Sequence, residues 1–248
     1  GEKPCRCRHE SCKDDEEAEN DQTFFPQPSG TVLAQVQSSN HTCQTTALRN
    51  KEAVDDFFAI RDSASTEMYS DDDFTPDSSA IGWSEFGQPQ YNLNWKRASE
   101  VFPNHSLFGD GISPDDINQG GLGNCWILST ASAVAEKPER MQKVFLNTES
   151  TLNAKGIYAL QFYSLGVPHT IVIDDYLPLT SANNTMLAHA GDDKSLWGPI
   201  FEKAFAKYHG NYLQISGGWP TVGARTVAGG SGETYSHSNI SADDLWTM

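Results

Sequence analysis

Residues 116–135 read Asp-Ile-Asn-Gln-Gly-Gly-Leu-Gly-Asn-Cys-Trp-Ile-Leu-Ser-Thr-Ala-Ser-Ala-Val-Ala, and this stretch decides the fold. Its first half is a glycine-rich turn that runs to Gly123. From Asn124 onward the residues favour a helix and are apolar on nearly every side, which predicts a buried central helix that ends at Pro138. Just upstream, Ser113 followed by Pro114 and two acids is typical of a helix start.

Cys125 lies at the head of this predicted helix. A thiol attacks as the thiolate, and the unpaired amides at a helix N-terminus stabilise a negative charge there. The glycines before it let a substrate backbone approach closely, and Trp126 is expected to shield the site from water. Gln119 could donate a side-chain N–H to a developing oxyanion. The pattern therefore favours thiol attack on an amide carbonyl; the alternative is a small, inert cysteine buried in a core helix.

Strands and further helices are predicted around this segment. Residues 157–163 alternate, with Tyr158, Leu160 and Phe162 on one face, and residues 170–173 are β-branched. Apolar residues recur at helical spacing from Leu196 to Tyr208, and that helix is expected to end at Gly210. The pattern is that of a mixed α+β domain.

Three ordered stretches resemble the calpain family of cysteine proteases. They are residues 107–126 (Leu-Phe-Gly-Asp-Gly-Ile, then Asp116 to Trp126), residues 173–178 (Ile-Asp-Asp-Tyr-Leu-Pro) and residues 197–212, which paired glycines follow. The likeness runs from about Trp95 to Gly230. One departure stands beside the candidate nucleophile, where family members usually have Asp and this chain has Asn124.

The resemblance implies an α+β, papain-like cysteine protease core in two lobes with a cleft between them. This chain would be the first, helix-rich lobe, in which Cys125 matches the nucleophile and Gln119 the oxyanion-hole glutamine. The second lobe would supply a histidine and an asparagine, and calcium would align the two lobes. Papain-type enzymes place these partners roughly 130–150 residues after the cysteine, and fewer residues than that follow Cys125.

Four histidines lie downstream of Cys125, and each is better explained structurally than as the catalytic base. They are His169, His189, His209 and His237. The catalytic His and Asn are therefore expected not to be in this chain, which is interpreted as a fragment because it begins at Gly1 and ends just after a helix start. We predict that the 248 residues alone have no peptidase activity.

A calcium site is implied by the same resemblance. Gly109 and Gly111 match carbonyl donors, and Asp116 matches a carboxylate donor; such oxygen ligands suit calcium. Ser195 stands where the family has a later acid, and Asp192 or Asp193 could substitute only if their loop bends. The alternative is that Asp116 is an ordinary acid in a first helical turn.

Residues 1–80 are acidic and punctuated by loop residues, which predicts a mostly disordered segment with one short helix over residues 52–61. The globular domain is expected over residues 81–248, truncated before the second lobe. Cys5, Cys7, His9 and Cys12 are dense enough to suggest zinc, but known structural zinc sites have wider, paired spacings, which favours an incidental cluster.

Net charge and hydropathy argue against two classes of function, nucleic-acid binding and membrane spanning. The formal net charge is −16, and neither half of the chain carries the basic face that nucleic-acid binding needs. No apolar run is long enough for a membrane span. Cys125 is the lone cysteine of the globular part, which fits a reducing, cytoplasmic compartment.

The leading prediction is an intracellular calcium-dependent cysteine endopeptidase that acts on protein substrates, with its regulatory domains or subunits undefined. The first alternative is a calpain-like pseudoprotease or interaction module without a functional second lobe. A calcium-binding acidic adaptor built on residues 1–80 is disfavoured, since those acids lack the spacing of an EF-hand loop.

Overall fold

Helices and short antiparallel strand pairs make up the chain, which confirms the predicted α+β class. The computed structural model describes residues 6–8, 11–13, 43–82, 93–180, 185, 187–234 and 241–247. Its helices are α1 (Cys43–Asp62), α2 (Ser78–Ile81), α3 (Ala98–Val101), α4 (Cys125–Ala135), α5 (Pro138–Gln142), α6 (Trp197–His209), α7 (Pro220–Ala228) and α8 (Ala242–Thr247). Its strands are β1 (Arg6–Arg8), β2 (Ser11–Lys13), β3 (Asn94–Arg97), β4 (Ile157–Ser164), β5 (Val167–Asp174) and β6 (Tyr176–Leu179).

The strands pair two by two. β1 pairs with β2, β3 with β6 and β4 with β5, each pair antiparallel. The long β4–β5 hairpin turns at Leu165 and Gly166, which both have positive φ. None of the helices in these described parts of the chain has the length and apolar character that a membrane crossing requires.

The main core lies between α4, α6, α7 and one face of β4. Tyr158, Leu160 and Phe162 of β4 face it, as the alternation predicts. The ring of Phe162 meets that of Phe205 of α6 edge-on at 5.4 Å between centroids, and Trp126 of α4 meets the same Phe205 at 5.5 Å. The helix predicted around Cys125 is therefore buried and central, and it places Cys125 at its first residue.

The predicted disorder of residues 1–80 is wrong for residues 43–80. Helix α1 is twice as long as the short helix expected there, and its Phe57 is fully buried against Ile157 and Ala159. Those two residues lie on the second face of β4, so α1 covers apolar surface that would otherwise meet water. The acidic composition did not predict that α1 packs on the sheet, because such a helix needs apolar residues on only one of its faces.

Residues 69–81 are also part of the packed structure. Phe74, Ala80 and Ile81 belong to the main core, and Asp71 pairs with Lys207 of α6 at 2.7 Å. Of the expected disordered segment, residues 1–5, 9–10 and 14–42 lie outside the described residues. The predicted domain division between residues 80 and 81 stays a prediction.

The helix start predicted at Ser113 is a single 3₁₀ turn, Pro114–Asp116. Its capping box is complete: Ser113 Oγ accepts from the Asp115 amide, and Asp116 Oδ2 accepts from the Ser113 amide at 2.8 Å. The turn ends at once because Ile117 adopts an extended backbone and Asn118 pairs with His189 in an isolated bridge. The chain is thereby directed into the glycine-rich turn.

Candidate active site

Cys125 is exposed at the first residue of α4, although the residues on both sides of it are buried. Asn124 is the N-cap residue, and its carbonyl oxygen accepts from the amides of Ile127 and Leu128. The thiol is thus held at the amide-rich end of a buried helix while it remains open to solvent. This placement excludes the interpretation of Cys125 as a buried core cysteine.

Trp126 is buried and anchors the loop on the opposite side of the site, which follows the 3₁₀ turn Leu213–Ile215. Its Nε1 donates to the carbonyl of Ile215 at 2.9 Å, and the amide of Gly217 donates to the carbonyl of Gly123 at 2.8 Å. Gly218 lies flat on the indole, since a Cβ there would stand 2.4 Å from Cε2 of Trp126. The paired glycines are therefore held beside the turn that carries Cys125, where they leave room for a ligand backbone.

Gln119 lies in the same turn, with an exposed side chain. Its Nε2 donates to the carbonyl of Leu122 at 2.7 Å. This bond uses one of the two hydrogens of the amide and fixes the side chain, so one N–H remains for another acceptor. The turn itself is clamped by Asn118, whose carbonyl accepts from the His189 amide and whose Nδ2 donates to the Ala190 carbonyl.

The buried carboxyl group of Glu202, on α6, contacts the residue that precedes Cys125. The side chain is 2% exposed, and its Oε1 lies 2.6 Å from Nδ2 of Asn124, which is itself fully buried. Its Oε2 accepts from the amide of Ala188 at 2.8 Å. Burial raises the pKa of Glu202 to about 7, against the opposing effect of these two hydrogen bonds.

The loop before the turn brings together Gly109, Gly111 and two acids. Gly109 and Gly111 have positive φ, and Asp116 is buried with its Oδ2 accepting from Nε1 of Trp197 at 2.7 Å. Burial raises the pKa of Asp116, and the charge of Asp193 acts in the same direction. Asp116 is therefore more than an exposed acid in a first helical turn.

Asp193 reaches this loop because its own loop bends. A tight turn closes with the Lys194 amide donating to the Gly191 carbonyl, and Lys194 takes a positive φ. The Asp193 carboxylate then accepts from the amides of Asp110 and Ser195 at 3.0 and 2.9 Å. Burial acts to raise the pKa of Asp193, but the hydrogen bonds from Ser195 and Asp110 outweigh it and lower the pKa.

The downstream histidines make other contacts. His169 of β5 lies against Tyr208, His209 packs on Phe205 with ring centroids 4.6 Å apart, and Nδ1 of His189 is 2.7 Å from Oγ1 of Thr185. Burial lowers the pKa of both His169 and His209. None of these contacts is with Cys125. His237 lies outside the described residues, as do Cys5 and His9 of the cysteine-rich segment.

Comparison with known protein families decides the classification. The model of the calpain family of cysteine proteases matches residues 69–248, which is well over half of the chain. This chain belongs to the calpain family. The match begins at Tyr69, the residue whose carbonyl oxygen accepts from Arg97 at 2.7 Å.

Individual calpains are similar to this chain at moderate identity. The calpain-1 catalytic subunit of Sus scrofa is 31% identical over 175 residues, which cover 69% of this chain and 24% of that protein. The calpain-2 catalytic subunit of Bos taurus is 31% identical over 186 residues, covering 73% and 26%. A calpain of Schistosoma mansoni is 31% identical over 168 residues, covering 66% and 22%. The chain thus spans about a quarter of the length of these relatives.

One residue of this site, Glu202, was not selected by sequence reasoning, whereas Asp193 was considered, beside Asp192, as a substitute that requires its loop to bend. Glu202 carries a buried hydrogen-bond network, and Asp193 is the acid that reaches the Gly109 loop. For Glu202 a signal exists in the sequence: Glu202 and Lys203 interrupt a helix that is otherwise apolar from Trp197 to Ala206. For Asp193 the sequence supplied only the condition that its loop bends, and the tight turn that begins at Gly191 meets that condition.

Proposed function

We propose that this calpain-family chain supplies the nucleophile of a calcium-dependent cysteine endopeptidase, with Cys125 as the attacking thiol and protein chains as substrates. The observation that carries the proposal is the exposure of Cys125 at the start of a buried helix, beside the Gly217–Gly218 segment. A thiolate there is stabilised by the helix end and is reachable by an extended peptide.

The chemistry assigned to these residues is two rounds of addition and elimination. The Cys125 thiolate adds to the peptide carbonyl carbon, a C–S bond forms, and the carbonyl electron pair moves to oxygen. The second N–H of Gln119 would donate to that oxyanion. Return of the electron pair to the carbonyl breaks the C–N bond, and the leaving amine takes a proton from a general acid. Water then adds to the Cys125 thioester, and loss of the thiolate breaks the C–S bond and releases the carboxylic acid.

We assign the general acid, and the base that activates the thiol, to a histidine outside the 248 residues, oriented by an asparagine. Support comes from His169, His189 and His209, which contact residues other than Cys125, and from the relatives, which are about four times as long as the matched region. We also propose an intracellular, cytoplasmic location, since Cys125 is the lone cysteine of the matched region.

Two measurements on the 248-residue protein test the assignment of Cys125. The rate of alkylation by iodoacetamide, read at Cys125 by peptide mass spectrometry, is expected to exceed that of an unfolded cysteine peptide at pH 7, and a rate no faster than the peptide's contradicts a nucleophile. Casein is expected to remain uncleaved with calcium present. Calcium-dependent cleavage that is lost in Cys125→Ser would place the base within the chain and overturn the assignment to residues outside it.

We propose further that calcium binds at the Gly109–Gly111 loop, with Asp193 replacing the acid that is absent at Ser195. The fit rests on donor chemistry: Asp116 and Asp193 bring two carboxylates to a loop of backbone carbonyls, and all of these are oxygen donors. Among the described residues, no three or more His, Cys, Asp or Glu side chains are grouped so that they could hold a metal ion, so carbonyl oxygens must complete the ligand set. Bound calcium would rigidify the loop that leads into the Cys125 turn.

Calorimetric titration with calcium tests this site, with Asp193→Asn as the disabling variant. Asp192→Asn is the matched control, because Asp192 is the exposed neighbour with the same charge. Binding is expected in the wild type and in Asp192→Asn and to be at least about tenfold weaker in Asp193→Asn. The absence of a binding signal from the wild type at millimolar calcium, or equal binding by both variants, contradicts the proposal.

A further inference from the structure

Glu202 is a buried acid without a positive partner. Its two carboxyl oxygens contact only neutral groups, the side-chain amide of Asn124 and the backbone amide of Ala188. Among the described residues, no lysine or arginine forms an ion pair with it; Lys203, its neighbour on α6, pairs with Asp174 on another side. An ionised carboxylate in such a place is strongly disfavoured, whereas a neutral carboxylic acid is not.

The contact between Glu202 and Asn124 fits a neutral acid better than a carboxylate. At 2.6 Å it is shorter than the usual N–H···O range and lies within the O–H···O range. The two ends of an Asn amide are assigned from the hydrogen-bond network, and the assigned Oδ1 is buried without a hydrogen-bond partner. With the amide turned over, Oδ1 accepts from the protonated Oε1 of Glu202, Oε2 still accepts from Ala188, and Nδ2 takes the place in which Oδ1 had no partner; the short distance is what favours this arrangement.

Glu202 also connects the parts of the site. It joins α6 to the N-cap residue of α4, directly before Cys125, and through Ala188 to the segment whose His189 amide clamps Asn118 and the Gln119 turn. Both predicted site residues therefore lie on segments that a single buried side chain holds in place.

We propose that Glu202 is a positioning residue for Cys125, which as a neutral acid donates its proton to the Asn124 side chain and so fixes the residue that precedes the thiol. The proposal rests on the proposed function of Cys125 as nucleophile. It assigns no contact between Glu202 and a substrate.

A pH dependence follows from this arrangement. Burial raises the pKa of Glu202 to about 7, so the acid ionises near neutrality. A negative charge one residue behind the thiol opposes formation of the thiolate. Among the titratable groups on Glu202's own helix and on the segments that contact it, Lys203 adjoins Glu202 on α6, His209 ends that helix and His189 adjoins Ala188. Burial, and then the Glu202 charge, raise the pKa of Tyr212 well above its usual value. Lys203 is already paired, so none of them cancels the Glu202 charge.

Glu202→Gln tests the proposal, because Gln reproduces both hydrogen bonds of the neutral acid and cannot ionise. Cys125 alkylation by iodoacetamide is followed from pH 5.5 to 8.5 on the full chain by peptide mass spectrometry. The variant is expected to match the wild type within about twofold at pH 5.5 and to react at least about threefold faster at pH 8. Glu136→Gln, at the exposed C-terminal end of α4, is the matched control and should follow the wild type throughout.

Other outcomes contradict the proposal in distinguishable ways. Identical profiles for wild type and Glu202→Gln, or a uniform slowing at every pH, would leave Glu202 with a purely structural role. A wild-type rate no faster than that of a free cysteine peptide would sink the nucleophile assignment instead, since the Glu202 result is read from the ratio of variant to wild type.

A second measurement needs no variant. Infrared difference spectra of protein labelled with ¹³C-glutamate are expected to show one neutral glutamic acid that ionises between pH 6 and 8. If no glutamic acid titrates in that interval, the proposal is overturned.

Discussion

Burial changes abruptly from one residue to the next around Cys125, the proposed nucleophile. Asn124 and Trp126 are buried, and Cys125 between them is exposed. The buried neighbours make hydrogen bonds to Glu202 and Ile215, so the exposed thiol is held from both sides. Each of these two hydrogen bonds can be tested by a conservative substitution of a single residue.

The ionisation of Glu202 is expected to affect stability as well as reactivity. Its pKa is about 7 in the folded state against 4.5 for an ordinary Glu, so between these values the folded state binds more protons than the unfolded state. Stability therefore falls as pH rises through this window. Glu202→Gln lacks this loss, and its free energy of unfolding should exceed that of the wild type by up to about 3 kcal/mol more at pH 8 than at pH 4.5.

Urea unfolding of both proteins at several pH values measures this difference. Glu136→Gln again serves as the control and should keep a constant offset from the wild type. A gap between Glu202→Gln and wild type that does not grow with pH would show that Glu202 ionises normally.

At the scale of elements, two buried surfaces depend on one helix that the acidic composition of residues 1–80 conceals, α1, and on one that the apolar spacing predicts, α6. α1 covers the second face of the β4–β5 hairpin, and α6 presents Lys203 and Lys207 to Asp174 and Asp71. The first surface is apolar and the second is ionic, so truncating a side chain is expected to destabilise each of them for a different reason.

Removing Phe57 should release α1 from the hairpin. Phe57 is fully buried, and its truncation removes roughly 3–5 kcal/mol of packing, as for other buried Phe to Ala changes. Phe57→Ala is expected to speed amide exchange in α1 by at least about tenfold, because the helix can detach without unfolding the main core. Phe58→Ala is the neighbouring control, since Phe58 is 36% exposed and contacts Arg61. Equal exchange in both variants would contradict the docking of α1.

Removing Lys203 should destabilise the fold more than removing Lys207. Lys203 and Asp174 are both fully buried, with Nζ 2.5 Å from Oδ1, and Nζ also donates to the carbonyl of Tyr176. Lys203→Met leaves Asp174 charged and unpaired, which costs about 3–5 kcal/mol.

The matched change Lys207→Met should cost less, because the Lys207 side chain is 18% exposed, so this ion pair lies nearer the solvent than the pair of Lys203 and Asp174, whose side chains are both fully buried. Urea unfolding at pH 7 compares the two variants. The double variant Lys203→Met/Asp174→Asn is expected to regain part of the loss, and no recovery would mean that packing, not charge, dominates.

The whole molecule carries a strong negative charge. With a formal net charge of −16, the folded chain repels itself, and mobile ions reduce that repulsion. We expect Tm to rise by a few °C between 20 and 200 mM NaCl. Differential scanning calorimetry measures the rise, which should be equal in wild type and Asp193→Asn because screening needs no site. A rise in Tm that occurs only in the wild type would instead show that the ions act at the Gly109 loop.

Much of the site is encoded locally. The glycines, Asn124, Cys125 and the apolar run after them specify a turn and a buried helix through neighbouring residues alone, and the strands at residues 157–164 and 167–174 follow from alternation. The same local pattern carries the likeness to calpains over residues 69–248. The acidic composition, by contrast, led to the wrong prediction of disorder for residues 43–80, because the apolar partner of α1 lies about a hundred residues further along the chain.

The sequence by itself determined the helix that begins at Cys125 and the family of the chain, and it was enough to propose Cys125 as the nucleophile, since each depends on residues close together in the chain. Only the tertiary structure decided the rest: that α1 is docked, that Asp193 rather than Ser195 reaches the Gly109 loop, and that Glu202 lies behind Asn124. These are contacts between distant segments. Their geometry depends on how the helices and loops pack, and local preferences do not contain that information.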